Sequence, residues 1–227
     1  MVMCTVKKQC ENQCIIKIEK VTGMDVTALL LAGGKSSRMG TNKAMLPMFQ
    51  KASIENIATE LNKIAGHVLL ISNSPDEYSF LGLPMVPDQY HGMGPLGGLH
   101  AGLTASKTDT VFVSACDMPF IKAAVMEEML GNLENYDALV PEIDGQLHPL
   151  FAIYRKTCLP ILTSCLEARE LKMVHFLEKL NAKIMKHTEF QLYTKNHKLF
   201  SYLFYNMNNP QEYEEAKKIE SHFNPQI

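Results

Sequence analysis

Leu29-Leu30-Leu31-Ala32-Gly33-Gly34-Lys35-Ser36-Ser37-Arg38-Met39-Gly40-Thr41-Asn42-Lys43 sets an apolar strand directly before a loop of small and basic residues. This is a layout for handling phosphate. Paired glycines carry no Cβ, so the backbone can take positive φ and bring its N–H groups close to anionic oxygens. Arg38 and Lys43 add full positive charge. Two commoner phosphate loops do not fit. Gly34-Lys35-Ser36 imitates the end of a P-loop, but that pattern needs a glycine where the chain has Leu29. A dinucleotide fingerprint needs glycine at its first, third and sixth positions, and neither Gly33 nor Gly34 starts one. A glycine turn with a solvated basic tip would explain the two glycines alone, but not Arg38, Gly40 and Lys43 in register with them.

Downstream of the loop, Ile54, Ile57, Ala58, Leu61, Ile64 and Ala65 recur with helical spacing, with Ser53 as the expected cap and Gly66 as the stop. His67 to Ile71 is a nearly all-apolar run of the kind buried on both faces of a parallel sheet. Strand, helix, strand makes a right-handed crossover. A short helix from Asp76 to Leu81 and a strand from Leu83 to Pro87 come next, with Asp88 just past the strand. Gly92 to Leu103 is dense in glycine, and Pro95 suits the first turn of a helix. Glycines 97, 98 and 102 each cost about 1 kcal/mol relative to alanine inside a helix, so this helix should lie tightly on the sheet or admit a ligand. Thr110 to Cys116 is a central strand ending at Asp117. In open α/β sheets ligands gather beyond the carboxyl ends of strands, which is where Asp88 and Asp117 project. Asp117 there is a sensible Mg²⁺ ligand, with a helix N-cap before Pro119 as the plainer alternative.

The second half reads as a helix over Ala123 to Leu133 and a strand over Asp137 to Pro141. Glu142 to Gln146 is a turn whose Asp144-Gly145 pair is expected one residue off the hairpin centre, before a strand from Leu147 to Tyr154. Helices over Leu159 to Arg169 and Met173 to Leu180 precede a strand over Ala182 to Lys186, and Asn209-Pro210 is a good helix start.

With 227 residues and 46% hydrophobic content the chain is long enough for one large core, and no stretch reads as a linker. A net charge of −2 argues against a broad nucleic-acid or membrane surface but permits a basic pocket for a small anion. No apolar run reaches the roughly 18 to 20 residues that cross a bilayer, and the leading residues do not read as a secretory signal, so a cytoplasmic protein is expected. Cys4, Cys10 and Cys14 do not match a zinc pattern with a second ligand pair. Cys158 and Cys165, one heptad apart, should pack into a core face, and disulfides are not expected. Met24 stands just before the first strand, so residues 1–23 read as an extension, expected to be disordered, or as an upstream start.

The pattern L-A-G-G-x-x-x-R-M-G-x-x-K, from Leu31 to Lys43, resembles the opening signature of the molybdenum cofactor guanylyltransferases within the wider nucleotidyltransferase group. Further elements resemble that family in the same order. They are Gly94-Pro95-Leu96-Gly97-Gly98, Cys116-Asp117-Met118-Pro119, His148-Pro149-Leu150, and Asn206-Met207-Asn208-Asn209-Pro210-Gln211-Glu212. The resemblance implies a three-layer α/β/α, mostly parallel, Rossmann-like fold over residues 24–227. It also implies guanine rather than cytosine, since cytidylyltransferase relatives open with L-A-A-G and lack the Gly-Pro-Leu block. Two departures stand out. Gln50-Lys51-Ala52-Ser53-Ile54 replaces the usual G-K-P-L, removing a turn glycine and leaving the role of Lys51 open, and Asn209 stands where threonine is common.

The implied reaction is transfer of GMP from GTP to the terminal phosphate of molybdenum-molybdopterin, with Mg²⁺ as cofactor. Other molybdenum cofactor biosynthesis proteins are conceivable partners. Arg38 and Lys43 would hold the triphosphate and Asp117 the Mg²⁺. Leu31, Ala32, Gly33 and Gly34 would seat the guanosine, and Asp88 would contact the nucleotide. Asn206 and Asn208 would face the pterin, while the role of His148 stays open. Two readings compete: another phosphate acceptor on the same fold, and a nucleotide sensor without catalysis, against which intact Arg38, Lys43, Asp88 and Asp117 count. The reading requires the ammonium of Lys43 and the carboxylate of Asp117 to share one rim.

Overall fold

The computed structural model describes residues 25–33 and 42–223. The expected extension over residues 1–23, and Gly34, Arg38 and Gly40 of the loop, lie outside the described residues. The opening apolar run forms β1 (Val26–Leu31). The chain then passes a short hairpin, β2 (Pro47–Met48) and β3 (Lys51–Ala52), into α1 (Ser53–Ile64) and β4 (His67–Ile71). Next come α2 (Pro75–Tyr78), β5 (Met85–Val86), α3 (Gly94–Ala105) and β6 (Thr110–Ala115). The second half runs α4 (Ala123–Gly131), β7 (Ala138–Ile143), β8 (Gln146–Leu147), β9 (Phe151–Arg155), α5 (Leu159–Glu167) and α6 (Met173–Leu177). It closes with β10 (Ala182–Lys186), α7 (Gln191–Lys195), α8 (His197–Leu203) and α9 (Pro210–Glu220).

One sheet takes the order β10-β7-β9-β6-β1-β4-β5, with β8 paired to β7. Along that path only β9 is antiparallel to its neighbours. Successive strand side chains point to opposite faces. Ala28, Leu30, Phe112 and Ile153 enter one core with α1, α4 and the last helices, while Leu29, Val111, Val113 and Tyr154 enter a second with α3 and α5. Both faces are covered, which is why β1 reads as an unbroken apolar run. The layering is the expected α/β/α arrangement, and Cys158 and Cys165 pack into the second core. No helix among the described residues is long and apolar enough to cross a membrane.

The glycines of α3 divide by role. A Cβ on Gly102 would lie 2.1 Å from Leu29 Cδ1, so here the helix sits directly on the central strand. A Cβ on Gly97 would lie 2.8 Å from both carboxylate oxygens of Asp88. Gly98 has ordinary 3.5 Å contacts, so the expectation of a close approach fails at that position.

Three local expectations need correction. Ser53 does not cap α1: Ala52 holds the N-cap position and donates its N–H to Glu55 Oε2 at 2.9 Å, while Ser53 Oγ is buried without a partner. Asp144-Gly145 sits at the hairpin centre, because Ile143 pairs with Gln146 and both turn residues are left-handed, with φ of 51° and 80°. The type I′ turn demands that pair of conformations, and Asp-Gly tolerates them. The strand expected from Leu147 to Tyr154 is broken at His148-Pro149-Leu150, since Pro149 has no N–H for a ladder.

The missing turn glycine has a visible consequence. Phe49 and Gln50 form the two-residue loop between Met48 and Lys51, with φ of 50° and 64°. Phe49 is tied down by its N–H to Glu220 Oε1 and by edge contacts with Phe120 and Phe223. Gln50 bears the left-handed strain, which costs a residue with a Cβ about 1–2 kcal/mol. Gln50→Gly should therefore raise the unfolding free energy by roughly 0.5–1 kcal/mol after the extra chain entropy of glycine, measured as a higher urea midpoint at constant slope.

Candidate active site

The chain builds outward from β1 through α1 to β4, then returns across the opposite face through α3 to β6 on the other side of β1. Leu31 lies in parallel register with Ala115. Where strand order reverses in this way, a crevice opens between the two carboxyl ends. Ala32 and Gly33 leave on one wall, Cys116 and Asp117 on the other. Ala32 donates its N–H to Ile71 O at 3.0 Å, which pins the loop's root. Gly33 is exposed, its φ is not left-handed, and a Cβ there would meet nothing within 4 Å. Its missing side chain relieves no clash with the described residues.

Across this crevice Lys43 Nζ donates to Asp117 Oδ2 at 2.7 Å, with both side chains partly buried. The two predicted groups share one rim. Asp117 caps no helix, because α4 begins at Ala123. Met207 donates its N–H to Asp117 O at 2.9 Å, so the segment holding Asn206 and Asn208 lies against the same residue. Asn208 Oδ1 is 3.5 Å from Lys43 Nζ, a long contact, while the Asn206 amide turns back to Phe204 O at 3.4 Å. Asn209 caps α9 by accepting from Glu212 N.

Asp88 stands on the same sheet edge beyond β5, away from this pair. Its N–H goes to Asn73 Oδ1 at 2.9 Å, and its carboxylate accepts from Tyr90 N at 2.8 Å beside Gly97 in the first turn of α3. Burial pushes the His100 imidazole below its ordinary range, with Asp88 pulling it back. Lys51 is exposed in β3. Burial pushes the Cys116 thiol up to about 12, so the cysteine beside Asp117 is an inert core group.

Sequence reasoning passed over Asn42. Its Oδ1 accepts from Ala44 N at 3.0 Å, and its Nδ2 donates to Glu77 Oε1 at 2.6 Å and Tyr78 OH at 2.8 Å, tying the turn that carries Lys43 to α2. The available signal was an asparagine directly before a short helical turn. Asn42→Ala should lower the unfolding free energy by about 1–2 kcal/mol, read by chemical denaturation.

Among the described residues no three His, Cys, Asp or Glu side chains converge as a metal cage. A Mg²⁺ ion needs only one or two carboxylates when phosphate and water complete its shell. Asp117, partly exposed at the crevice, fits that smaller demand.

A model described as "MobA-like NTP transferase domain" matches residues 28–183, more than half of the chain. A protein of Carboxydothermus hydrogenoformans named "Probable molybdenum cofactor guanylyltransferase" is 38% identical over 195 residues, covering 86% of this chain and 96% of its own length. One of the same name from Clostridium perfringens is 41% identical over 194 residues, covering 85% and 96%. The crystal structure of molybdopterin-guanine dinucleotide biosynthesis protein A from Archaeoglobus fulgidus superposes with a TM-score of 0.73 at 25% identity, over 87% of this chain and 100% of that one.

Proposed function

The chain belongs to the MobA-like NTP transferase family and is a nucleotidyltransferase, and from that premise we propose that it transfers GMP from GTP to the terminal phosphate of molybdenum-molybdopterin, in the cytoplasm. The products are pyrophosphate and the molybdopterin guanine dinucleotide cofactor. The observation that carries this reading is the 2.7 Å pair of Lys43 and Asp117 across the crevice between β1 and β6. The names of the relatives support the choice of guanine and of the pterin acceptor.

An oxygen of the acceptor's phosphate bonds to the α-phosphorus of GTP, and the bond from that phosphorus to the pyrophosphate oxygen breaks with its electron pair. The attacking phosphate is already anionic, so the chain needs to align and neutralise charge more than to remove a proton. In the structure the charges of Lys43 and Asp117 cancel. A triphosphate arriving on this rim draws the ammonium of Lys43, whose flexible stem lets it leave the carboxylate. The partly buried Asp117 then faces phosphate with no cation, which is unfavourable unless another takes the place of Lys43. Asp117 would hold Mg²⁺ there, and the ion would supply charge neutralisation. Arg38, beyond the described residues, would add a second positive side chain. Ala32 and Gly33 would seat the guanosine, and Asp88 would contact the nucleotide from its place beside the first turn of α3. Asn208 and Asn206 would meet the acceptor on the other side of Asp117.

With molybdopterin as acceptor, GTP should support pyrophosphate release and CTP, ATP and UTP should not. Equal use of CTP would overturn the guanine assignment. Asp117→Ala should lower turnover by about 100-fold or more with the denaturation midpoint almost unchanged, because a partly exposed pair is worth only about 0–1 kcal/mol. Near-normal turnover in that variant would remove the metal-ligand role.

A further inference from the structure

β9 is the strand of the main path that enters the sheet at the catalytic edge instead of leaving it there, and the link before it is fixed at three points. His148 donates its N–H to Pro141 O at 2.9 Å, its own carbonyl accepts from Phe151 N at 3.0 Å, and Leu150 O accepts from Ala115 N at 2.9 Å, two residues before Asp117. The His148 ring packs 5.1 Å from the ring of Phe204, just before Asn206. That places the imidazole on the β9 side of β6, across from the end of β1. The link that carries it is hydrogen-bonded at those three points, the ring is half-buried, and among the described residues its nitrogens have no hydrogen-bond partner. Burial holds its pKa below the ordinary range, against the pull of the nearby Asp117 carboxylate, so at neutral pH the ring has one N–H to give and one lone pair. The ring nitrogens still reach solvent, since the buried side-chain polar atom left without a partner among the described residues is Ser53 Oγ, so they are open to a ligand.

We propose that His148 is an acceptor-binding residue whose N–H donates to the terminal phosphate of the acceptor, the group that attacks GTP. This rests on the functional reading above and assigns one substrate to one side chain. The bond from Ala115 N to Leu150 O holds the His148 corner against the end of β6, two residues before Asp117, and an imidazole N–H suits an anionic oxygen there. On the nucleotide side the anchors are different ones, so the two substrates should respond separately to a change at position 148.

The test compares wild type, His148→Phe and His148→Gln in steady-state transfer from GTP to molybdopterin, with GTP affinity measured by direct titration. His148→Phe keeps a ring against Phe204 and removes the donor. It should raise the acceptor KM about ten-fold or more, the loss expected for a hydrogen bond to a charged group, and leave the GTP Kd within about twofold. His148→Gln restores an N–H and should recover part of the loss. An unchanged acceptor KM in His148→Phe overturns the assignment, and so does a GTP Kd that weakens in step with it. Absence of transfer by the wild type overturns the functional reading and this inference together.

Discussion

The parallel pairing of β1 with β6 is the constraint from which the site follows. Lys43 and Asp117 are 74 residues apart in sequence, and their side chains meet because Leu31 and Ala115 end side by side. The ion pair itself is too exposed to hold the two loops together, since such pairs contribute about 0–1 kcal/mol. Burial does the holding. Leu29, Leu30, Phe112 and Val113 are fully buried, and each side chain of that kind contributes about 1.5–3 kcal/mol relative to exposure. Opposite charges are thus brought to a fixed separation by apolar contacts that do not change when either charge finds a new partner. A rim assembled this way can exchange Lys43–Asp117 for contacts with phosphate at little cost to the fold.

The last turn of chain works as a clamp on that rim. Met207 bonds to Asp117, Tyr213 donates its hydroxyl to Pro47 O at 3.0 Å, and Glu220 takes the N–H of Phe49. Phe223 stacks on Phe120 at 4.8 Å, and Phe49 meets both rings edge-on. The left-handed hairpin at Phe49-Gln50 is therefore held from outside itself, which is how a turn can persist here without a glycine. These contacts come from residues beyond the 28–183 span of the family model. The segment that fixes Asp117 from one side also carries Asn206 and Asn208, so one stretch of chain both braces the carboxylate's backbone and holds the two amides beside it.

Much of this was legible in the sequence because it depends on short-range pattern. The unbroken apolar run before Gly33 reads as a strand covered on both faces, and Ile54 to Ile64 reads as a one-sided helix. The rule that ligands collect beyond strand ends then suffices to place Asp117 at the crevice. What stayed hidden depends on distant partners. Nothing near Asn42 announces Glu77 and Tyr78. Nothing near Ser53 says that Glu55 will serve the N-cap N–H and leave the serine hydroxyl buried alone. Gly97, Gly98 and Gly102 look alike as letters, yet Leu29 crowds Gly102, Asp88 crowds Gly97, and neither reaches Gly98. The Asp-Gly turn was misplaced by one residue because hairpin register is set by which residues pair across it, here Ile143 with Gln146.

The antiparallel strand explains why the two sides of the crevice differ. A parallel strand brings its carboxyl end to the catalytic edge, so the residue it delivers is the one that follows the strand, as with Gly33, Asp88 and Asp117. β9 runs the other way and brings its amino end, so it delivers the residues that precede it, His148 to Leu150. Those residues must turn sharply out of β8, and Pro149 enforces the break by withholding a ladder hydrogen bond. The result is a corner tied to β6 and packed on Phe204, on the opposite side of β6 from β1. Strand direction thus decides which residues reach each side of β6: those that follow β1 on one, those that precede β9 on the other.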